Sequence, residues 1–478
     1  MTRILVPAVV VAIGIFAIIG MEAVLDELLA RVLLFVAFIA SLMALGIVRR
    51  KDKRISPICD PLVLFMGFLA QFYVIGPVAL HIWGLPRLYF FRGFMPEQVL
   101  YALGGCALMV LAVLAGYHMP VVGAVADRLP EFRSSRKLPG RWVETAFVAA
   151  GLGGGIGWLV FQGGFMAILG MGYGGGRGGG AMFTVTHVLI LIGTMLLAWR
   201  IANQEVRRFV DWLPLVALLM WQVLFFGILF GVRKYLFYLF FGLLTIWLLR
   251  RGKDAVPKTR IAATLALLLV FFSVWGSVRG KPMTALVGAE SDTLYAETQP
   301  LHLGYVNSVA GPFAIASLVW EVFPDQEPFR HGQTLLVTLL AFIPRAVWPD
   351  KPIGIGKELT RYLIGPHYEE FQGFSVAPTV VADFYLNFGW FGVVAGGLLL
   401  GALCGVITSY AVHGMRSGRQ LRAARVLIPA VFVMMLGEIR GDMSTILLFY
   451  VLGYVPLLVA LTFFDLDGDT VRNPSVPI

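Results

Sequence analysis

The chain has 478 residues, 58% of them hydrophobic and only 14% charged. Soluble domains carry roughly 25% charged residues, so a soluble fold is excluded and the unit is a bundle of membrane-spanning helices. The net charge of +10 raises nucleic acid as a partner, but the placement of that charge along the chain answers the question differently.

Apolar runs long enough to cross a bilayer, or nearly so, fall at about 4–22, 28–48, 61–82, 99–118, 144–161, 183–200, 210–231, 235–249, 261–278, 391–412, 423–439 and 445–463, which predicts about twelve transmembrane helices. The first run lacks a small-residue cleavage site and is followed by acidic residues, so it reads as a retained span. The connections alternate in charge. RRKDKR (49–54), the segment 128–141, RIANQEVRR (200–208), RRGKDAVPKTR (250–260) and RSGRQLRAAR (416–425), with Arg3 and Arg472, hold 24 of the 38 Lys and Arg residues. The positive-inside rule places these loops and both termini in the cytoplasm. The basic excess is an orientation signal, and no nucleic-acid partner is expected.

The opposite face holds short connections at 23–27 and 84–98, a glycine-rich segment at 162–182, the GVRK turn at 231–234 and a large loop, 279–390. From Glu290 to Asp383 that loop carries eleven carboxylates, against six Lys and Arg from Lys281 to Arg361. Two apolar pieces within it, Ser308–Phe323 and Leu335–Ile343, are short and joined by an acidic linker, so both are expected as interfacial or re-entrant helices. Fourteen spans is the alternative. The expected organisation is nine helices in 1–278, the extracytoplasmic loop at 279–390, three helices in 391–464 and a cytoplasmic tail at 465–478. The stretch GMGYGGGRGGG (170–180) is either a flexible connector or a mobile loop whose amides and Arg177 approach a sugar or phosphate. The three cysteines, Cys59, Cys106 and Cys404, have no metal-site spacing, and no structural disulfide outside the membrane is expected.

The longest polar interruption late in the chain is 342–392, FIPRAVWPDKPIGIGKELTRYLIGPHYEEFQGFSVAPTVVADFYLNFGWFG. Its prolines and glycines set turns, and a fixed polar loop between spans is where a membrane enzyme keeps its chemistry. The run Ile343-Pro344-Arg345, Trp348-Pro349, Lys351-Pro352, then Gly373, Ser375 and Pro378, then Asp383, Tyr385, Asn387, Gly389 and Gly392 resembles the O-antigen and oligosaccharide repeat-unit polymerases (the Wzy type). The close match covers about fifty residues, with a looser likeness in hydropathy layout elsewhere. The resemblance implies a GT-C-like glycosyltransferase of the bacterial inner membrane. Such an enzyme joins undecaprenyl-diphosphate-linked oligosaccharide units on the extracytoplasmic face, among membrane lipids and beside a flippase and a chain-length regulator of the same pathway.

Four arginines sit at the outer ends of spans, Arg233, Arg279, Arg345 and Arg440. Each alone reads as a headgroup anchor, because an edge arginine snorkels cheaply. Together, on the face where arginine is depleted, they supply planar forks suited to a lipid diphosphate. The family's essential extracytoplasmic arginines are resembled by Arg233, Arg345 and Arg440. Lys351, Lys357, Arg177, His367, Tyr385 and Asn387 complete the expected binding set. Pro378 suits the first turn of a helix that runs through Asp383, with Asn387 one turn further on the same face. Asp383 is the candidate base, or a structural carboxylate, and His367 and Glu369 or Glu370 are the runners-up. No His occurs between Ser375 and Gly389, which favours a polymerase over the related O-antigen ligases. A lipid-linked oligosaccharide flippase or transporter is the alternative from another class. No H-E-x-x-H, P-loop or outer D-x-D is present, so neither metal nor cofactor is expected.

Loop 279–390 is expected to face one side throughout. Cysteines introduced at Asp325 and Gln372 should both react with an impermeant thiol reagent in intact spheroplasts. Labelling at 372 with protection at 325 until lysis would indicate fourteen spans.

Overall fold

Apolar runs in a bilayer become helices because hydrocarbon offers no partner for a backbone N–H or C=O. The computed structural model of the protein describes residues 27–50, 55–83, 96–130, 138–161, 180–203, 209–225, 234–252, 301–334, 354–364, 375–416, 422–441 and 443–467, with a few isolated positions between them. In chain order the helices are α1 (Glu27–Val48), α2 (Pro61–Ala70), α3 (Gly76–Trp83), α4 (Pro96–Tyr117), α5 (Val121–Arg128), α6 (Gly140–Phe161) and α7 (Gly180–Asn203). They continue as α8 (Leu213–Gln222), α9 (Lys234–Arg251), α10 (Leu301–Val322), α11 (Ile355–Ile364), α12 (Thr379–Arg416), α13 (Ala423–Met435) and α14 (Met443–Phe463). A π-helical turn, Gln71–Ile75, joins α2 to α3.

Among the described residues, seven helical segments are long and apolar enough to cross a membrane. Four shorter apolar helices, Phe209–Phe225, Tyr235–Arg250, Val309–Val322 and Ala423–Met435, accompany them. The chain is an all-α, multi-pass membrane protein. The runs expected at 4–22 and most of 261–278, the piece Leu335–Ile343 apart from isolated positions, and the glycine-rich segment around Arg177 lie outside the described residues.

The central packing is α4 against α12, which run side by side. Gly397, Gly401 and Gly405 recur every fourth residue of α12, and a side chain at Gly401 would collide with the Val113 backbone of α4. Small residues at this spacing let two backbones approach where no hydrophobic force drives helices together. Within the expected loop, α10 begins at Leu301 and is longer than the piece 308–323. Its residues Val309, Phe313, Ala316, Val319 and Trp320 are buried, and it packs on α3, α4 and α12.

One end of the bundle is stitched by polar bonds. Arg200 makes a two-pronged pair with Glu144, both contacts 2.9 Å. Trp199 Nε1 donates to the Leu466 carbonyl, Asn203 Nδ2 to the Asp467 carbonyl and Arg250 Nε to Asn203 Oδ1. Two short strands, β1 (Leu138–Pro139) and β2 (Phe464–Asp465), pair in parallel. Asp467 Oδ1 accepts the Ala423 N–H at 2.7 Å, so it caps α13, whose own N-cap residue Arg422 makes no side-chain cap. Residues 465–467 are thus docked on the bundle. These contacts gather segments 138–141, 199–203, 250 and 422–425 at one end, the loops that the charge pattern grouped on one side.

Asp60 starts α2 at the same end. Its carboxylate accepts the Leu62 N–H (3.0 Å), the Tyr117 hydroxyl (3.3 Å) and the Thr408 hydroxyl (3.4 Å), which ties α2 to α4 and α12. Burial raises the carboxyl from its ordinary 3.8 to about 6, against the hydrogen bonds and the Arg50 charge, which lower it. A raised folded-state value means that the stabilising contribution is present below about 3.8 and is lost as pH rises through about 6. At neutral pH the buried charge costs at most about 3 kcal/mol. Asp60→Asn keeps the capping acceptor, so its thermal midpoint in detergent should exceed the parent's at pH 7.5 and match it at pH 4. A lower midpoint at pH 7.5 would show that the charge itself holds the helix start.

Candidate functional site

A continuous helix of 38 residues would be about 57 Å long, nearly twice the roughly 30 Å hydrocarbon core. The protein resolves this by breaking α12 at Phe388 (φ −140, ψ 17) and Gly389 (φ 61, ψ −151). The Gly389 conformation is essentially restricted to glycine. A side chain at Gly392 would land on the Phe384 carbonyl and one at Gly396 on the Phe384 ring, so the segment before the break folds back against the segment after it. From Trp390 to Tyr410 the second segment rises about 30 Å. Tyr410 meets Arg425 and Pro130 at the stitched end, so the break lies at the opposite end of the bundle.

A break leaves carbonyls without helical partners. The turn after α10 supplies them: the Arg330 N–H donates to the Leu386 carbonyl and the His331 N–H to the Asn387 carbonyl, each at 2.9 Å. The Asn387 side chain completes the joint. Its Nδ2 donates to Thr334 Oγ1 (2.7 Å), to the Asp383 carbonyl (2.8 Å) and to Asp383 Oδ1 (3.2 Å), while its Oδ1 accepts the Gly332 N–H (2.9 Å). Asp383 and Asn387 do share a helix face, and both are buried, at 0% and 1% exposure. The helix starts at Thr379, one residue beyond Pro378. Thr379 has φ 71, and its hydroxyl pairs with that of Tyr73 at 2.7 Å.

Arg330 was visible in the sequence only as the lone cation of an acidic linker, and nothing there marked it as part of a site. Its guanidinium pairs with Glu327 (3.3 Å) and with Glu358 of α11, and stands 5.5 Å from the Phe323 ring centre. Tyr362 of α11 bonds the same Glu327. Partial burial, then that bond and the charges of Glu327 and Glu358, push its phenol up to about 12, so it stays a donor at physiological pH. The α11 helix docks on the segment entering α12 through Val376 N–H to the Gly356 carbonyl, 3.2 Å. The double carboxylate pairing makes Arg330 a tether between α11 and the 327–334 turn, where a diphosphate ligand would need an uncommitted fork.

Of the expected site residues, Asp383, Tyr385 and Asn387 are brought together here. Lys357 is exposed on α11, and Arg440 is exposed on a separate element, the helical turn Leu436–Arg440. Arg345, Arg233, Arg279, Lys351, Arg177 and His367 lie outside the described residues, as do the runners-up Glu369 and Glu370. Thr334, Glu327, Glu358 and Tyr362 join the set, and no motif in the sequence singled them out. Among the described residues no cluster of three or more His, Cys, Asp or Glu could hold a metal ion.

The fold defines a multi-pass helical membrane protein with its polar constellation at a helix break. A family model described as a domain of unknown function (DUF8712) matches residues 317–464, a stretch that contains the break, the 327–334 turn and α11. No curated protein and no solved structure matches the chain.

Asn387 is the joint of this site. Asn387→Leu leaves the Gly332 N–H and the Thr334 hydroxyl without their partner, so it should lower stability by about 2–4 kcal/mol. Asn387→Asp keeps the acceptor for Gly332 but removes the Nδ2 donor to Thr334 and to Asp383, so it should also destabilise the protein. Thermal unfolding in detergent measures both.

Proposed function

We propose that the protein is a polysaccharide polymerase of the O-antigen or exopolysaccharide kind, joining undecaprenyl-diphosphate-linked oligosaccharide units at the extracytoplasmic face of a bacterial inner membrane. The observation that carries the reading is that Asp383, Tyr385, Asn387, Gly389 and Gly392, the residues of the D-x-Y-x-N-x-G-x-x-G run, all meet at one helix break. That break is at the end of the bundle away from the basic loops. In this reading the chain has about twelve spans in a GT-C-like arrangement with both termini cytoplasmic.

The acceptor sugar's hydroxyl oxygen attacks the anomeric carbon of the donor glycan. The bond from that carbon to the diphosphate oxygen breaks with inversion, the hydroxyl proton passes to a base, and undecaprenyl diphosphate leaves. Arg345, Arg233, Arg279 and Arg440 neutralise the departing diphosphate, helped by Lys351, Lys357, Arg177 and His367. Asp383 is the proposed base. It is closed off by Asn387 and the 330–334 turn, so a hydroxyl reaches it when that turn shifts. A second reading, a lipid-linked oligosaccharide flippase, is favoured by the broken helix itself, since transporters bind substrate at such discontinuities.

Purified protein given a synthetic undecaprenyl-diphosphate-linked repeat unit should produce a ladder of products. Transfer to lipid A core alone indicates a ligase, and vesicle translocation without a new bond indicates a flippase. The ladder should persist in metal-free buffer after chelation; loss that magnesium or manganese restores would remove the arginine-based mechanism. Asp383→Asn should bind the lipid-linked unit yet stop turnover, and a normal ladder from it would make the carboxylate structural.

A further inference from the structure

Beside the break, four aromatic side chains form one cluster. Trp320 of α10 stacks on Tyr385 with ring centres 4.4 Å apart and planes 20° apart. Trp390 meets both, at 6.0 Å and 5.3 Å, and Phe329 closes edge-on to Tyr385 at 5.7 Å. Packing alone would bury such a cluster. Instead Trp390 is 41% exposed, and Tyr101 of the adjoining α4 is 51% exposed. Tyr101 and the exposed Asp325 are the phenolic and charged neighbours of the Tyr385 hydroxyl.

The Tyr385 hydroxyl donates to the Phe323 carbonyl at 3.4 Å, but two other polar atoms around the cluster are unpaired. Trp320 is 94% buried, at 6% exposure, yet its indole Nε1 has no hydrogen-bond partner among the described residues. The six-membered edge of that indole lies over Gly105 of α4, whose missing side chain leaves room for it. Gln98, Tyr101 and Gly105 fall within about 60° of one another around α4, so they share the face turned to Trp320. The Oε1 atom of Gln98 is also buried and without a partner among the described residues. A buried donor or acceptor left unpaired costs about 1–3 kcal/mol. One donor, on α10, and one acceptor, on the α4 face turned to it, stand buried and unpaired beside aromatic planes and an exposed carboxylate.

We propose that this face is a saccharide subsite that takes one pyranose ring. A pyranose presents a patch of C–H groups, which suits the faces of Trp390 and Tyr101. Its rim hydroxyls both donate and accept: they would accept from the Trp320 N–H and donate to Gln98 Oε1 and the Asp325 carboxylate. An acyl chain would leave all three polar groups unanswered, and a phosphate would be repelled by Asp325. Assigning the ring to the acceptor end of the substrate rests on the polymerase reading; the saccharide chemistry rests on these residues alone.

The test uses the full chain in lipid nanodiscs with photoreactive diazirine derivatives of methyl glucoside, galactoside, mannoside, rhamnoside and N-acetylglucosaminide. At least one should label both the 96–105 and the 318–330 peptides, and the unmodified glycoside should compete. Tyr101→Ala and Asp325→Asn alter exposed side chains and should each cut labelling about fivefold, the worth of roughly one hydrogen bond or contact. Trp320→Phe, which keeps a ring and removes the N–H, should cut it by a similar factor. Equal labelling by an alkyl diazirine, no labelling by any glycoside, or labelling indifferent to Tyr101→Ala and Asp325→Asn overturns the subsite and marks the cluster as a bilayer-interface belt. Glycoside labelling without a product ladder from the lipid-linked unit would remove the polymerase reading and keep the subsite. A full-rate ladder from Tyr101→Ala and Asp325→Asn without glycoside labelling would do the reverse.

Discussion

The constraint on which this end of the molecule depends is backbone hydrogen bonding in an apolar setting. Breaking α12 at Phe388–Gly389 frees the Leu386 and Asn387 carbonyls where hydrocarbon and packed side chains offer no water. The Arg330 and His331 N–H groups take both. That requirement brings the turn after α10 to α12, and with it come the other components. Arg330 arrives with Glu327, reaches Glu358 and so fixes α11, while Thr334 and Gly332 meet Asn387. The constellation is organised by two carbonyls more than by any pair of charges.

The two ends of the bundle solve different problems. At the stitched end, helix starts and stops are satisfied locally: Asp60 caps α2 and Asp467 caps α13. Segments far apart in sequence are locked there by polar pairs, as between Arg200 and Glu144. At the other end two buried atoms, Trp320 Nε1 and Gln98 Oε1, have no partner among the described residues. Unmet polar groups of this kind call for an explanation, and the saccharide subsite proposed above is one.

Much of the fold was legible because hydrophobicity and charge act over whole segments. The apolar runs from 28–48 to 445–463 that fall on described residues are helices, and the basic loops gather at one end, since twenty apolar residues and a cluster of arginines need no partner to be recognised. The face shared by Asp383 and Asn387 was legible for the same local reason, a spacing of four. Other features depend on distant partners. Nothing local distinguishes Arg330 from any cation in an acidic linker; its meaning comes from Leu386 and Glu358, 56 and 28 positions away. The docking of 465–467 was hidden because Asp-Leu-Asp carries no sign of the Ala423 N–H it caps. The break at Gly389 was hidden because glycine in an apolar run also serves close packing, as at Gly401.

The commitment of Arg330 limits how the site can treat an anion. Two carboxylates converge on one guanidinium, so the Glu327–Arg330–Glu358 group carries a net negative charge, and Asp325 adds another nearby. A lipid diphosphate would therefore meet repulsion along the 325–330 edge. It would be favoured where a cation is exposed, as at Lys357 on α11. Neutral, hydroxyl-rich chemistry suits the opposite balance: carboxylates that accept, an indole and a phenol that donate, and rings that take an apolar face.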